Sequence, residues 1–384
     1  MRIGWLNCLD EKIQPRQHGG DVWALTRKYG IPLEKIVDFS APINFLGPSP
    51  RAIEAVKRFA ELIKFYPDQN PSDLKKDLCD YVGRINPENV VLGNGSMELI
   101  YRFAETLIRG TEALIPVPSF TEYERVSLLV SAKPKLVDML PEFTLNVDVI
   151  KGLINSNKNT RLLFICNPHS PSGRLFNRSL ILDLVEFCLE RGVYVVLDEN
   201  YIDFVEPVEK YTLAHYVDKY ENIFVVRSFS KFFGMPGIRI GYGIGCRKIV
   251  QKLEVAKQPW CINSLAIVAA REALKDSEYI KKTKVQIREE RKKLADLLNG
   301  TGVLRVYPSE TNFLLVKILK DGFTARDLKE RLEERGILIR DCGDFHGLNE
   351  SYFRVTVRCL EENLMLVNMI KGLLLNGKSQ KISA

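Results

Sequence analysis

The hydrophobic pattern between residues 90 and 244 predicts a β-sheet that is covered on both faces. Short runs that are apolar at consecutive positions, instead of alternating ones, are separated by stretches with helical spacing. Such runs are typical of fully buried strands, and the repeated order strand, helix, strand indicates mostly parallel pairing. The predicted strands are residues 90–92, 112–115, 134–137, 161–166, 193–197, 223–226 and 238–244.

The segments on either side of this sheet have other patterns. Before it, the sequence predicts helices at residues 21–29 and 51–65 and a third that begins at Ser72 or Asp73. After it, one long helical pattern covers residues 266–298. The remaining predicted elements are strands at 302–306 and 312–316, a helix at 324–335, and strands at 336–340 and 352–357.

These patterns predict an α/β protein in three parts. We expect residues 1–45 to form an arm that packs with a small domain, and residues 46–262 to form a large domain around a mostly parallel seven-stranded sheet. Residues 263–384 are predicted to form the small α+β domain, with a frayed tail beyond residue 376.

Composition narrows the class of ligand. Across 384 residues, 55 Lys and Arg against 48 Asp and Glu leave a formal charge of +7, without a basic tail or block. An unclustered surplus favours a small anion over nucleic acid. Eight cysteines without a C-x-x-C pair argue against a disulfide framework and against a metal knuckle. With no leader pattern and no run of 18 apolar residues, we expect a cytoplasmic protein without a membrane partner.

Polar residues follow the ends of several predicted strands, where a parallel sheet places its ligand crevice. Among them, a glycine turn that opens a helix points free N–H groups at an anion. The residues are Gly95, Ser96 and Met97 after the first strand, Asn167 after the fourth, Asp198 and Tyr201 after the fifth, Ser228, Ser230 and Lys231 after the sixth, and Arg239 further on.

This combination of residues suits pyridoxal phosphate. Lys231 can bond covalently to the aldehyde carbon, and Asp198 can keep the pyridine nitrogen protonated so that the ring accepts electrons. Asn167 and Tyr201 can hydrogen-bond the phenolic oxygen. The phosphate can be held by the N–H groups of Gly95, Ser96 and Met97 and by the side chains of Ser228, Ser230 and Arg239. Each of these residues alone has an ordinary structural explanation. The prediction therefore depends on their occurring together, in one order and at compatible spacings along the chain.

Three motifs resemble those of fold-type I pyridoxal-phosphate enzymes, in the branch that contains histidinol-phosphate aminotransferase. The most specific is SFSKFFGMPGIRIGY at residues 228–242, which resembles the lysine motif of the family. Residues 167–173 resemble its asparagine-proline loop, and residues 198–201 resemble its aspartate-tyrosine motif. The resemblance covers nearly the whole chain and implies the fold-type I transferase fold.

The resemblance also implies roles for residues outside these motifs. Tyr66 matches a tyrosine that reaches the cofactor phosphate of the neighbouring subunit, which implies a homodimer with shared sites. Phe120 matches an aromatic residue that covers the pyridine ring, and Arg354 matches the arginine that clamps the substrate carboxylate.

Within that branch, both ends of the chain resemble the threonine-phosphate decarboxylases of cobalamin biosynthesis. The matching segments are residues 18–21, 38–48, 338–342 and 345–348. His18 and the N–H groups of Gly19 and Gly20 can form a compact anion site, and Arg340 adds a donor beside Arg354. Asn167 is expected to contact the substrate as well as the cofactor.

The resemblance therefore implies decarboxylation of L-threonine O-3-phosphate to (R)-1-amino-2-propanol O-2-phosphate, with Lys231, Asp198 and Tyr201 as the catalytic residues. A substrate with a carboxylate and a phosphate ester needs two cationic clamps, which agrees with this activity.

Departures from the family pattern leave the substrate open. Ala41-Pro42 stands where the family usually has asparagine, Phe45 where it has proline, His169 where it has asparagine, and Asn200 where it has a small residue. Changes around Pro42 alter the substrate pocket, so decarboxylation of L-serine O-phosphate to ethanolamine phosphate is a second candidate activity.

The type of activity is open as well. An aminotransferase acting on histidinol phosphate needs the same residues, because the α bond that breaks depends on how the substrate is turned. A non-catalytic regulator is disfavoured, because Lys231, Asp198 and Arg354 are all present.

Overall fold

The computed structural model describes residues 18–375, and every structural statement below concerns that part of the chain. The first 17 residues of the predicted arm and the predicted frayed tail lie outside it. The helices are α1 (Val22–Tyr29), α2 (Pro50–Arg58), α3 (Ser72–Val82), α4 (Ser96–Leu107), α5 (Glu122–Leu129), α6 (Val147–Ser156), α7 (Arg178–Glu190), α8 (Arg247–Ala256), α9 (Ser264–Leu274), α10 (Ser277–Asn299), α11 (Ala325–Glu333) and α12 (Leu360–Leu375).

The strands form three sheets. They are β1 (Val37–Asp38), β2 (Val90–Gly93), β3 (Glu112–Val117), β4 (Lys133–Asp138), β5 (Thr160–Cys166), β6 (Tyr194–Asp198), β7 (Ile223–Ser228), β8 (Gly241–Gly245), β9 (Leu304–Val306), β10 (Phe313–Ile318), β11 (Ile337–Leu338), β12 (Arg340–Asp341) and β13 (Tyr352–Thr356).

The predicted α/β fold and its seven-stranded sheet are confirmed. Strand order is β2-β8-β7-β6-β5-β3-β4, and the strands from β7 to β4 pair in parallel. Strand β8 runs antiparallel to both β2 and β7, so the sheet is mixed but mostly parallel. The carboxyl ends of β5, β6 and β7 therefore lie together at one edge.

Both faces of this sheet are buried, as its consecutive apolar residues predict. Leu163 and Val195 belong to the apolar cluster on one face, and Phe164 and Val196 belong to the cluster on the other. All four side chains are at most 1% exposed. Because strand side chains alternate between faces, burial of neighbours requires helices on both sides.

The prediction that residues 238–244 form one strand is wrong at its start. Strand β8 begins only at Gly241, and Pro236–Ile238 form a 3-10 turn. Arg239 has a φ of 56°, in the left-handed region, so it lies outside the ladder. Its side chain consequently points into the cavity described below and is not held within the sheet.

Two predicted helices differ from the structure: one is divided into two helices, and the other ends early. The pattern at residues 266–298 is two helices, α9 and α10, because Asp276 interrupts it and caps α10 by accepting a 3.1 Å hydrogen bond from the Tyr279 N–H. At residues 51–65, helix α2 ends at Arg58 and a 3-10 turn follows over Ala60–Lys64.

The C-terminal part is a four-stranded antiparallel sheet, β12-β13-β10-β9, covered by α10, α11 and α12. The predicted strand at residues 336–340 is two short strands in different sheets. One of them, β11, pairs in parallel with β1, which aligns Val37 with Ile337. Phe39 packs in the same apolar cluster as the C-terminal strands, so residues 37–39 lie against this part.

The packing of α9 and α10 indicates where the large domain ends and the small C-terminal domain begins. Ala266 and Ala270 of α9 and Ile287 of α10 belong to the core around the seven-stranded sheet, whereas Leu294, later in α10, belongs to the C-terminal core. The predicted domain boundary between residues 262 and 263 stays a prediction. From this packing we propose that the boundary between the two domains lies within α10.

None of the helices among residues 18–375 has the length and apolar character needed to cross a bilayer. The cysteines within the same range are free thiols.

Candidate active site

A cavity of about 230 Å³ lies where β6 and β7 end and α4 begins. Residues from the arm, from the seven-stranded sheet and from the C-terminal strands meet there. The predicted site residues among its lining are His18, Gly19, Ser96, Met97, Phe120, Asp198, Tyr201, Ser228, Ser230, Lys231, Arg239, Arg340 and Arg354.

One end of the cavity has the features of a phosphate cradle. Helix α4 begins at Ser96, directly after Gly95, whose φ of 83° favours glycine. A Cβ on Gly95 would lie 2.4 Å from Arg239 Nη2, so only glycine allows this guanidinium so close to the helix start. Arg239 Nη1 also donates to Ser230 Oγ at 3.4 Å. Free N–H groups, hydroxyls and a guanidinium together bind a phosphate well.

A buried carboxylate lies deeper in the cavity. Asp198, the last residue of β6, is 5% exposed. Its Oδ2 accepts a hydrogen bond from the Tyr123 hydroxyl at 2.6 Å, and its Oδ1 accepts from Asn200 N at 3.0 Å and Nδ2 at 2.7 Å. Burial raises the pKa of Asp198, while these donors and the charge of Lys231 oppose that rise. A carboxylate held in this way suits a protonated ring nitrogen.

The amide of Asn200 connects the two ends of the cavity. Its Nδ2 donates to Ser96 Oγ at 3.0 Å as well as to Asp198. Its Oδ1 is buried and has no hydrogen-bond partner among the described residues. The orientation of the amide follows from charge, because turning it over would place Oδ1 against the Asp198 carboxylate.

Lys231 has the environment of a reactive amine. Burial is the main cause that lowers its pKa to about 8, and the charge of Arg354 acts in the same direction while Asp198 opposes it. A lysine with a lowered pKa is more often neutral near pH 7, and the neutral amine is the form that attacks a carbonyl carbon.

Three predicted residues do not line the cavity. Asn167 is buried, and its side-chain amide binds the main chain of Phe176, with Oδ1 accepting at 2.8 Å and Nδ2 donating at 3.3 Å. Gly95 is outside the lining, and its N–H donates to the Gly93 carbonyl at 2.8 Å. Tyr66 is 80% exposed, and its ring packs against that of Trp260 with centroids 4.6 Å apart. The predicted roles of these residues stay predictions.

Arg354, the predicted clamp for the substrate carboxylate, has neutral partners. Its Nη1 donates to Ser170 Oγ at 3.1 Å, and its Nη2 donates to the Ser40 carbonyl oxygen at 3.4 Å. The guanidinium also lies 4.9 Å from the centre of the Phe313 ring. Within residues 18–375, no carboxylate forms an ion pair with Arg354, so its charge is available to an anionic ligand.

His18 and Arg340, the other predicted substrate contacts, each have an acidic partner that the sequence did not reveal. Arg340 Nη2 lies 2.9 and 2.8 Å from the two carboxylate oxygens of Asp344. His18 Nε2 lies 3.0 Å from Glu122 Oε1. Next to His18, Gly19 approaches the main chain so closely that a Cβ would lie 2.3 Å from the carbonyl oxygen of Ser40.

The residues that depart from the family pattern have different positions. Pro42 lines the cavity, whereas Phe45 packs against the core of the seven-stranded sheet. His169 is buried outside the cavity lining, where Nε2 donates to the Pro118 carbonyl at 2.8 Å and Nδ1 accepts from Ser172 Oγ at 2.7 Å. Burial lowers the pKa of His169 to about 4, so the ring is neutral at pH 7.

Sequence reasoning also missed Tyr123 and Ser170, which contact Asp198 and Arg354. Tyr123 follows Phe120 by three positions, and this spacing at a helix start could have placed both rings on one side. Ser170 lies in a loop, where no periodic pattern indicates its direction.

The lysine beside a buried aspartate, the phosphate cradle and the sheet order together define a fold-type I pyridoxal-phosphate enzyme. The family model for aminotransferase class I and II matches residues 34–369, and the chain belongs to this family. Pyridoxal phosphate is therefore its cofactor. The donors at the cradle and the buried carboxylate fit the phosphate and the ring nitrogen of this group.

Relatives within the family have two kinds of name. A protein of Caldanaerobacter subterraneus subsp. tengcongensis named "Putative threonine-phosphate decarboxylase" is 37% identical over 367 residues, which is 96% of each chain. The crystal structure of histidinol-phosphate aminotransferase from Clostridium acetobutylicum is 29% identical, with a TM-score of 0.81. That of L-threonine-O-3-phosphate decarboxylase from Porphyromonas gingivalis is 27% identical, with a TM-score of 0.78. Each structural match covers 88% of this chain and 99% of the other.

Proposed function

We propose that this enzyme decarboxylates L-threonine O-3-phosphate to (R)-1-amino-2-propanol O-2-phosphate, a precursor for the nucleotide loop of cobalamin. One observation carries the proposal: besides the phosphate cradle, the same cavity is lined by four further residues with cationic or N–H donors. They are His18, Gly19, Arg340 and Arg354, and Arg340 lies opposite Arg354 on the neighbouring strand. A substrate with both a carboxylate and a phosphate ester would use these donors for its two anionic groups.

The similarity to proteins named for this activity supports the proposal. The Caldanaerobacter relative has that name at 37% identity, and the Porphyromonas enzyme shares the fold over 88% of this chain. Histidinol-phosphate aminotransferases are also similar, at 31% identity for the protein of Methanosphaera stadtmanae. Amine transfer from histidinol phosphate is therefore the second candidate, with the same lysine and aspartate.

Different residues of the cavity would have different roles in the reaction. When bound, pyridoxal phosphate supplies an electron sink for the bond that breaks at the substrate α carbon. Arg354 would orient the carboxylate that leaves as carbon dioxide, and Asp198 would retain the proton on the ring nitrogen. Lys231 Nζ would then deliver a proton to the α carbon in place of the lost carboxylate. Burial raises the pKa of Tyr201, so its phenol stays neutral and can donate a hydrogen bond to the cofactor.

Turnover of three phosphorylated substrates by the holoenzyme tests this proposal. We expect the enzyme to convert threonine phosphate to carbon dioxide and aminopropanol phosphate. The kcat/KM for this reaction should be at least about tenfold higher than that for release of ethanolamine phosphate from serine phosphate, because one methyl group in a fitted pocket contributes that much. Histidinol phosphate with a ketoacid is the third reaction. Faster amine transfer from histidinol phosphate would overturn the proposal in favour of the aminotransferase.

We also propose a homodimer in which Tyr66 serves the neighbouring site. In support, Tyr66 stands in a surface region of exposed apolar side chains and not in its own cavity. The members of this region are Ile63, Phe65, Tyr66 and Trp260, which are 78%, 62%, 80% and 44% exposed. Exposed apolar side chains grouped in this way are typical of protein interfaces.

Mixing two inactive variants tests the shared site. Refolding Tyr66→Ala together with Lys231→Ala is expected to restore up to about a quarter of wild-type activity, because half of the dimers are mixed and each has one intact site. Either variant refolded alone is the control. A mixture no more active than its parents, or a monomer in analytical ultracentrifugation, would refute the shared site.

A further inference from the structure

Glu122, the first residue of α5, has a carboxylate that is buried and fully engaged. Its side chain is 8% exposed. Oε1 lies 3.0 Å from His18 Nε2, and Oε2 accepts from the Tyr101 hydroxyl at 2.8 Å and from Arg125 Nη1 at 3.1 Å. The Tyr101 oxygen in turn accepts from Arg125 Nη1 at 2.6 Å. Donors on both oxygens fix the carboxylate in one orientation.

These contacts determine how His18 can act. Burial tends to raise the pKa of Glu122, but hydrogen bonds from His18, Tyr101 and Arg125 outweigh it and lower that pKa to about 2. The carboxylate is therefore ionised at any working pH and can only accept. It follows that His18 Nε2 is the donor of this pair, which leaves Nδ1 as the ring nitrogen for a ligand. A protonated ring donates from Nδ1 to an anion.

The main chain around His18 is held, but its ring has few other contacts. Gly20 N donates to Ser40 Oγ at 2.7 Å, and Gly19 packs against the Ser40 carbonyl. The imidazole is 45% exposed and packs on the Phe120 ring at a centroid distance of 5.6 Å. An exposed imidazole that lost its ion pair would sample several rotamers, at a cost in entropy when a ligand binds.

We propose that Glu122 is a positioning residue for phosphorylated substrates, because it fixes the His18 imidazole at the cavity wall in the orientation that binds the substrate phosphate. The proposal rests on the proposed function, since it assigns the phosphate to His18. Glu122 itself does not line the cavity, so it acts through His18 and does not contact the substrate.

Glu122→Gln is the test variant, since it keeps the shape and removes the charge. One amide oxygen cannot accept from all three donors, so the carboxylate network is broken. We expect the Kd of the holoenzyme for L-threonine O-3-phosphate to rise about tenfold, as for the loss of one charge-assisted contact, and the Kd for L-threonine to stay within twofold. Both are read from the absorbance of the bound cofactor by rapid mixing, before turnover. The ratio of the two Kd values does not depend on the fraction of protein that is folded.

The chain offers a matched control two positions further along α5. Glu124 Oε2 lies 3.0 Å from His346 Nε2, the same kind of pair at the same distance, and neither residue lines the cavity. Glu124→Gln is expected to leave the ratio of the two Kd values unchanged. An equal loss of phosphate preference in both variants would overturn the assignment to Glu122.

His18→Ala separates failure of this inference from failure of the proposed function. If His18→Ala leaves the ratio unchanged, His18 does not bind the phosphate, and the assignment within the proposed function fails. If His18→Ala lowers the preference for phosphate and Glu122→Gln does not, only the positioning role fails. The inference requires both to lower it, with Glu122→Gln having no further effect in the His18→Ala background, because a positioning residue acts through the residue it positions.

Discussion

Replacing Lys231 with alanine is expected to lower kcat at least about 10⁴-fold and to remove the covalent attachment of the cofactor. Burial and the charge of Arg354 lower the pKa of Lys231 to about 8, and Lys231 lines the same cavity as Asp198 and Arg354. The variant loses both the amine that we expect to bond the cofactor and the amine that would return a proton to the α carbon. No other lysine lines the cavity in the described chain, so no nearby amine replaces it.

Borohydride treatment followed by mass spectrometry measures the attachment directly. In the wild-type holoenzyme, reduction should leave the cofactor mass on the peptide that contains Lys231 after denaturation, whereas Lys231→Ala should release all of it. Lys248→Ala is the control, because Lys248 is 79% exposed and pairs with Glu221 on the surface. Retention of the reduced cofactor in Lys231→Ala would assign the attachment to another lysine and invalidate the site.

The sheet and most of the cavity could be predicted because both depend on local order along the chain. Consecutive apolar residues identify strands buried on both faces, and parallel pairing brings their carboxyl ends to one edge. Asp198, Ser228 and Lys231 follow two such strands, so their convergence follows from topology alone. Arg354 could not be placed in this way. It comes from the C-terminal strand β13, and only its resemblance to a known motif associated it with the same cavity.

The missed residues have no local pattern that identifies them. Glu122 and Asp344 are acids in polar stretches, and their pairing with His18 and Arg340 depends on how the arm and the C-terminal strands meet the sheet. The sequence predicts a strand at Arg239 because its neighbours are apolar. The structure gives Arg239 a left-handed φ and brings its guanidinium close to Gly95, a tertiary contact that the local pattern does not reveal.

Asn167 has local partners that its motif does not reveal, while its predicted contacts with cofactor and substrate stay predictions. Its position after β5 is as predicted, and its amide hydrogen-bonds the main chain of Phe176. A loop residue with two good local partners is held by them, and sequence spacing does not report such competition.

Asp198→Asn is expected to have the second largest effect, a fall in kcat of about 10³-fold. The Asp198 carboxylate is the group that can keep a proton on the ring nitrogen, whereas an asparagine amide can donate to the unprotonated nitrogen and so stabilise the neutral ring. Stopped-flow absorbance and steady-state kcat on threonine phosphate measure the loss. The Kd for the cofactor should also rise, which equilibrium dialysis measures without reference to turnover.

Asn200→Ala is the comparison variant for this prediction, because it weakens the hydrogen bonding of Asp198 without removing its charge. It removes the Nδ2 contacts with Asp198 and Ser96 but keeps the main-chain N–H bond to Asp198 Oδ1. Loss of a side-chain donor to a buried carboxylate corresponds to about 1.5 kcal/mol, so we expect the Kd for the cofactor to rise roughly tenfold. We expect kcat to fall by less than tenfold, because the carboxylate remains. If Asn200→Ala lowers kcat as much as Asp198→Asn, the orientation of the carboxylate matters more than its charge. A near wild-type kcat in Asp198→Asn would show that catalysis does not require a protonated ring.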